Sequence, residues 1–150
     1  MMARIRQHMA KEDKGFTLIE LLVVMIIIGI LAAIAIPIFL NQRKKAEDSA
    51  AKADVSTIGK EVATWFVDAT AMPYVAGDGT EYVLGVDSAT AEKIGNQSAN
   101  VQFGAVTGNN STDWCVWVYN LQGDKATAGY SYSAQNGLEN SACGATPPTS

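Results

Sequence analysis

Imidazole is nearly absent from this sequence. Its one histidine, His8, sits in a basic N-terminal stretch, and residues 16–150 have none. That rules out His-dependent triads and His-ligated metal sites over those residues, while leaving carboxylate chemistry open. Cysteine is scarce as well: Cys115 and Cys143 stand far apart, without the short spacing of a zinc site. No activated nucleophile or phosphate-cradling loop is legible, which gives an enzyme little support. A basic surplus is also missing. The first fifteen residues carry Arg4, Arg6, Lys11 and Lys14 against Glu12 and Asp13, a net of +2, so the chain's −4 leaves −6 for residues 16–150. An acidic surface of that kind argues against direct nucleic-acid binding through charge.

The most informative absence is of charge between Leu21 and Leu40, LLVVMIIIGILAAIAIPIFL. At 1.5 Å per residue, that run spans about 30 Å as a helix, the thickness of a bilayer's hydrocarbon core. It has no polar face, so it reads as a membrane span and not as the helix of a soluble core. At 150 residues the chain has room for one domain, with a soluble part of roughly 100 residues once the span is set aside. An even pair of cysteines in an exported chain reads as one disulfide formed outside the cytoplasm.

After a polar exit at Asn41-Gln42-Arg43-Lys44-Lys45, apolar residues recur at helical spacing: Ala51, Val55, Ile58, Val62, Trp65 and Ala69, with Phe66 alongside. Lys52, Asp54, Lys60 and Glu61 fall between them. Gly59 costs about 1 kcal/mol relative to alanine and is tolerable. One helix is therefore expected from Phe16 to Ala69, closed by Met72-Pro73. Beyond it, turn signals at Gly77-Asp78-Gly79, Gly108-Asn109-Asn110, Gln122-Gly123-Asp124 and Asn136-Gly137 separate four candidate strands, Glu81–Val86, Val101–Val106, Trp114–Leu121 and Ala128–Ser133. Short turns imply antiparallel pairing. The expected fold class is α+β: a long N-terminal helix whose amphipathic half covers a small antiparallel sheet. The tail 145–150 reads as disordered.

Directly before the span stands Lys14-Gly15-Phe16-Thr17-Leu18-Ile19-Glu20. This segment, continuing through residue 45, resembles the type IV pilin and pseudopilin family, whose precursors carry a short basic leader ending in glycine, then Phe-Thr-Leu-Ile-Glu and an apolar helix. The resemblance implies a leader at 1–15, an assembly half of the helix at 16–40, an amphipathic half at 41–72 and a globular region at 73–150. It also implies cleavage after Gly15 by a membrane prepilin peptidase, with N-methylation of Phe16 by the same enzyme. Glycine leaves an extended backbone free of side chain at the scissile bond.

Glu20 is costly in a membrane unless partnered. The family assigns it to the N-terminal amine of a neighbouring subunit; the alternative is a carboxylate among headgroups. Gly29 and Pro37 are read as points of compliance within the span, although both residues are common in membrane helices. The Cys115–Cys143 pair would pin a surface-exposed C-terminal segment to the strand containing Trp114. The implied partners are copies of the same chain, the peptidase, an assembly ATPase with its membrane platform, and the bilayer before assembly. No cofactor is implied.

Weaker signals compete with these. Ala33-Ile34-Ala35 resembles a signal-peptidase site, as in a conventional secreted protein, but Glu20 would then break an uncharged core. Asp78, Glu81, Asp87, Asp113 and Asp124 are candidates for a calcium loop, set against plain solvated acids. Asn96-Gln97-Ser98, Asn109-Asn110-Ser111 and Asn110-Ser111-Thr112 match a short glycosylation pattern that chance also produces. Trp114 and Trp117 read as strand packing. Within the family, a major pilin serving adhesion or motility is favoured over a competence pilin or a secretion pseudopilin.

Overall fold

The computed structural model describes residues 15–144. His8, the basic residues of the leader and the tail 145–150 lie outside that range. The chain divides at Phe39–Leu40 into two compact units. Helix α1 spans Leu18–Asp68, close to the bounds that its periodicity predicts. Seven strands follow: β1 Tyr74–Gly77, β2 Glu81–Gly85, β3 Glu92–Asn96, β4 Gln102–Asn110, β5 Asp113–Tyr119, β6 Tyr130–Ser133 and β7 Gly137–Glu139. A turn of 3-10 helix, Ala126–Ala128, precedes β6. The class is α+β, with one long N-terminal helix packed on antiparallel sheets.

Sequence patterning suggests one small sheet, and the structure has two. Strands β1-β2-β3 form the first and β4-β5-β6-β7 the second, with all neighbours antiparallel. The chain breaks between them at residues 97–101, where Asn100 takes a left-handed φ of 66° and Val101 turns inward. In that loop Ser98 and Asn100 bond to Asp54 and Glu47 of α1, while the Gln97 amide donates to the Thr80 carbonyl. Three short strands (β1, β3 and β7) went unread; at three to five residues each, they carry almost no alternation.

The Gly108-Asn109-Asn110 signal marks a bulge near the end of β4, not the turn itself. Gly108 has φ 118°, and a Cβ there would meet the Asp113 carbonyl. Reversal comes at Ser111-Thr112, where Asn110 Oδ1 accepts from the Thr112 amide at 3.0 Å and hydroxyl at 2.8 Å. This is an Asx turn closing a hairpin.

The core is built on the stripe foreseen in the 41–69 segment. Ala51, Val55, Ile58 and Val62 are completely buried, against Tyr82, Val101, Val116, Val118 and Tyr130. Each valine or isoleucine side chain so buried contributes about 1.5–3 kcal/mol relative to exposure. Phe66 stacks on Trp114, which stacks in turn on Tyr132, with ring centroids 6.5 and 6.2 Å apart. Trp65 donates its indole N–H to the Ala71 carbonyl at 2.9 Å, fastening the chain just past the helix end.

Gly59 is more than a tolerated weakness. A Cβ at this position would overlap the Tyr132 ring, so the missing side chain is what lets that ring lie on the helix. Alanine would gain about 1 kcal/mol of helix propensity but would overpack a full core, at a cost of roughly 1–3 kcal/mol. Gly59→Ala is therefore expected to lower stability by up to about 2 kcal/mol. A rise in the denaturation midpoint of the detergent-solubilised variant would show that the ring can move aside freely.

Candidate assembly site

Helix α1 begins with reciprocal bonds. The Thr17 amide and hydroxyl both donate to Glu20 Oε2, at 2.7 and 2.8 Å, and the Glu20 amide donates back to Thr17 Oγ1 at 3.3 Å. This is a capping box, Thr-x-x-Glu, which satisfies amides that the first helical turn leaves without partners. The motif is written in the sequence, and this local capping role adds to the two readings of Glu20, an intersubunit partner or a carboxylate among headgroups. Both Thr17 bonds fall on Oε2, and among the described residues no donor reaches Oε1. Phe16, just before the box, is 82% exposed. A Cβ on Gly15 would meet nothing within 4 Å.

From Leu21 to Leu40 every large apolar side chain is exposed, and α1 continues through Gly29 and Pro37. By length and composition this part of α1 suffices to cross a membrane, and none of its apolar window is buried by the rest of the chain. Ala33-Ile34-Ala35 lies inside the helix. Exposed apolar surface on this scale marks a site for lipid or for other protein.

In the unit from residue 40 onward, carboxylates on α1 hold distant loops. Glu47 accepts from Asn100 Nδ2 at 3.2 Å and from Asn120 Nδ2 at 2.8 Å. Asp48 is buried and accepts the backbone amides of Asp124, Lys125 and Ala126, at 2.9, 3.1 and 2.9 Å on Oδ1. A Cβ on Gly123 would strike that oxygen, so the Gly123 turn folds around the carboxylate. Asp54, expected among the polar residues between apolar positions, is buried too. It accepts from the Tyr82 hydroxyl at 2.8 Å and from the Ser98 amide and hydroxyl at 2.8 and 2.7 Å. Burial, with the Asp54 carboxylate beside it, pushes the Tyr82 hydroxyl far above its ordinary pKa.

Cys115 and Cys143 form a disulfide with Cα atoms 5.8 Å apart. Loop-closure entropy makes such a link worth about 3.5 kcal/mol. Trp114 and Trp117 project from opposite faces of β5: Trp114 stacks in the core, while Trp117 is covered on the other face by Gly104 and Gly129. Both pack as strand residues.

The five acids weighed as a calcium loop do not converge. Asp78 Oδ1 accepts from the Thr80 hydroxyl and from the amides of Thr80 and Glu81, and these bonds hold its carboxyl down at about 2. Asp87 is lowered in the same way by Thr90 and Ala89. Glu81 pairs with Lys93 at 2.9 Å. Among the described residues no three acids, histidines or cysteines are placed to share a metal.

A family profile described as the prokaryotic N-terminal methylation motif matches residues 11–36. The chain is 38% identical over 93 residues to the type IV wide pilus major component PilA4 of Thermus thermophilus, a match covering 60% of this chain and 70% of that protein. It is 35% identical over 105 residues to the type IV major fimbrial protein FimA of Dichelobacter nodosus, covering 63% and 65%. Over 63 residues it is 36% identical to the type II secretion system core protein G of Pseudomonas aeruginosa, covering 42% and 44%. The chain thus spans less than two thirds of the FimA and protein G lengths. No solved structure matches it. The methylation motif, the exposed apolar helix leading into sheets, and the extent of the PilA4 match together show that the chain belongs to the type IV pilin and pseudopilin family.

Proposed function

We propose that this chain is the precursor of a major pilin, a structural subunit without catalytic activity that polymerises into a surface filament. The observation that carries the reading is the apolar segment from Leu21 to Leu40, none of whose large side chains the rest of the chain buries, starting immediately after Gly-Phe-Thr-Leu-Ile-Glu. A bilayer covers such a surface before assembly, and like helices cover it afterwards. In this reading residues 1–15 are the leader, which stays on the cytoplasmic side. A prepilin peptidase cuts after Gly15 and methylates Phe16. An assembly ATPase and a membrane platform then lift the subunit into the fibre. Residues 16–40 and 41–72 form the two halves of the helix, and 73–150 the exposed region. Gly29 and Pro37 let the apolar half lengthen locally, because Pro37 offers no amide to the carbonyl four residues before it. Glu20 Oε1 is left to accept the Phe16 amine of a neighbour.

Intact-mass and N-terminal analysis of sheared fibres tests this directly. The mature chain is expected to start at a methylated Phe16, and Gly15→Leu is expected to leave full-length, membrane-bound precursor and no fibres. A mature start at Ile36 would replace the pilin reading with a conventional secreted protein. The relationship to a protein G favours one second reading, a secretion pseudopilin. Fibres that appear only when a secretion system is overproduced would select it.

A further inference from the structure

We propose that the basic triplet Arg43-Lys44-Lys45 of one subunit docks into an acidic groove at the C-terminal end of α1 in a second copy of this chain. The inference deepens the filament reading and rests on it. The groove, about 760 Å³, lies between the last turns of α1 and strands β2 and β3. Its polar lining includes Glu61, Asp68 and Glu92, and Trp65, Leu84 and Val86 supply its apolar surface. Val86 is 73% exposed, a high value for an aliphatic side chain next to a core. The lysine of the lining, Lys93, is already held by Glu81. Among the described residues, no side-chain hydrogen bond or ion pair engages the three carboxylates, so the groove carries uncompensated negative charge.

Arg43, Lys44 and Lys45 are exposed and make no ion pair among the described residues. The acids that follow them are committed elsewhere, Glu47 to Asn100 and Asn120 and Asp48 to backbone amides. Lysine and arginine combine an apolar stem with a cationic head, which matches an apolar surface ringed by carboxylates. In the proposed orientation the triplet also crosses the membrane, and cations on the translocated flank work against insertion. A use after export accounts for carrying them there.

A single chain cannot make this contact with itself. About 20 residues of helix, roughly 30 Å, separate the triplet from the groove. Two parallel copies offset by that distance along the helix bring the charges together. The pairing of Phe16 with Glu20, four residues apart, needs an offset of only about 6 Å. The two contacts therefore join each subunit to different neighbours.

Charge exchange in the full-length chain tests the docking, in cells that make fibres from the unaltered protein. Reversing the groove (Glu61→Lys, Asp68→Lys, Glu92→Lys) or the triplet (Arg43→Glu, Lys44→Glu, Lys45→Glu) is expected to cut fibre yield about tenfold, the combined effect of three partly screened ion pairs. Inserted precursor should stay constant, and the two reversals in one chain should restore most fibres. Subunits carrying Lys44→Cys, coexpressed with subunits carrying Asp68→Cys, should cross-link within fibres. Triplet reversal that lowers yield while groove reversal is silent, with no cross-link, would assign the triplet to lipid headgroups and overturn the docking. Failure of both rescue and cross-link, or silence of both reversals, would overturn it as well. If the unaltered chain makes no fibres, the filament reading falls and the docking with it.

Discussion

Glu20→Gln precursor is expected to accumulate in the membrane at the unaltered level and to yield few or no fibres. Glutamine keeps a side-chain oxygen able to accept from Thr17, so the start of α1 survives the change. What disappears is the negative charge, half of which sits on an oxygen that no described residue engages. In a fibre core, the Phe16 ammonium of the next subunit would then be buried without a counter-charge. Removing one partner of a buried pair costs about 3–5 kcal/mol, or more than a hundredfold in incorporation. Thr17→Ala separates the two roles. It removes the cap, worth about 1 kcal/mol, but keeps the charge, so it should reduce fibres only modestly. Fibre yield is best counted in a strain lacking retraction, where lost assembly is not confused with faster disassembly. A normal count there for Glu20→Gln would withdraw the carboxylate's assembly role.

Asp48→Ala is expected to be strongly destabilising to the unit from residue 40 onward. Its carboxylate accepts three consecutive backbone amides from a buried position, and no other acceptor is described for them. A buried amide left without a partner costs about 1–3 kcal/mol, and the loop can turn some of the three toward water, so a net loss of about 3–4 kcal/mol is expected. Asp48→Asn retains one acceptor oxygen and should lose about half as much. Denaturant unfolding of the detergent-solubilised chain, followed by tryptophan fluorescence, reads both. An unchanged midpoint for Asp48→Ala would show that the 124–126 turn holds itself together.

The parts of this fold that announce themselves in the sequence are the local ones. The run from Leu21 to Leu40 needs only composition, and the stripe from Ala51 to Val62 needs only a period of 3.6. The strand around Trp114 shows through its β-branched and aromatic residues. Glu20 stood out because a lone charge at the head of an apolar run is conspicuous, yet its capping bond to Thr17, three residues away, went unread. Asp48 and Asp54 were illegible for a different reason. Helical periodicity assigns acids to the wet face, and their partners lie 28 to 78 residues further along the chain. Gly59 could be priced as a helix residue but not as a seat for Tyr132, because that contact exists only once β6 is in place. The groove between α1 and β3 was equally hidden, since β3 has too few residues to declare itself.

The way Asp48 grips its loop also bears on how this surface can change over evolutionary time. The carboxylate holds the main chain of residues 124–126, and main-chain amides are present whatever side chains the positions carry, proline excepted. Gly123, pressed against the anchor, and Ala126, completely buried in the core, are constrained by size. Substitutions at exposed positions such as Asp124, Lys125 and Thr127 leave the fastening intact. A lineage under pressure to alter what its surroundings encounter there can rewrite that loop while its attachment to α1 stays the same.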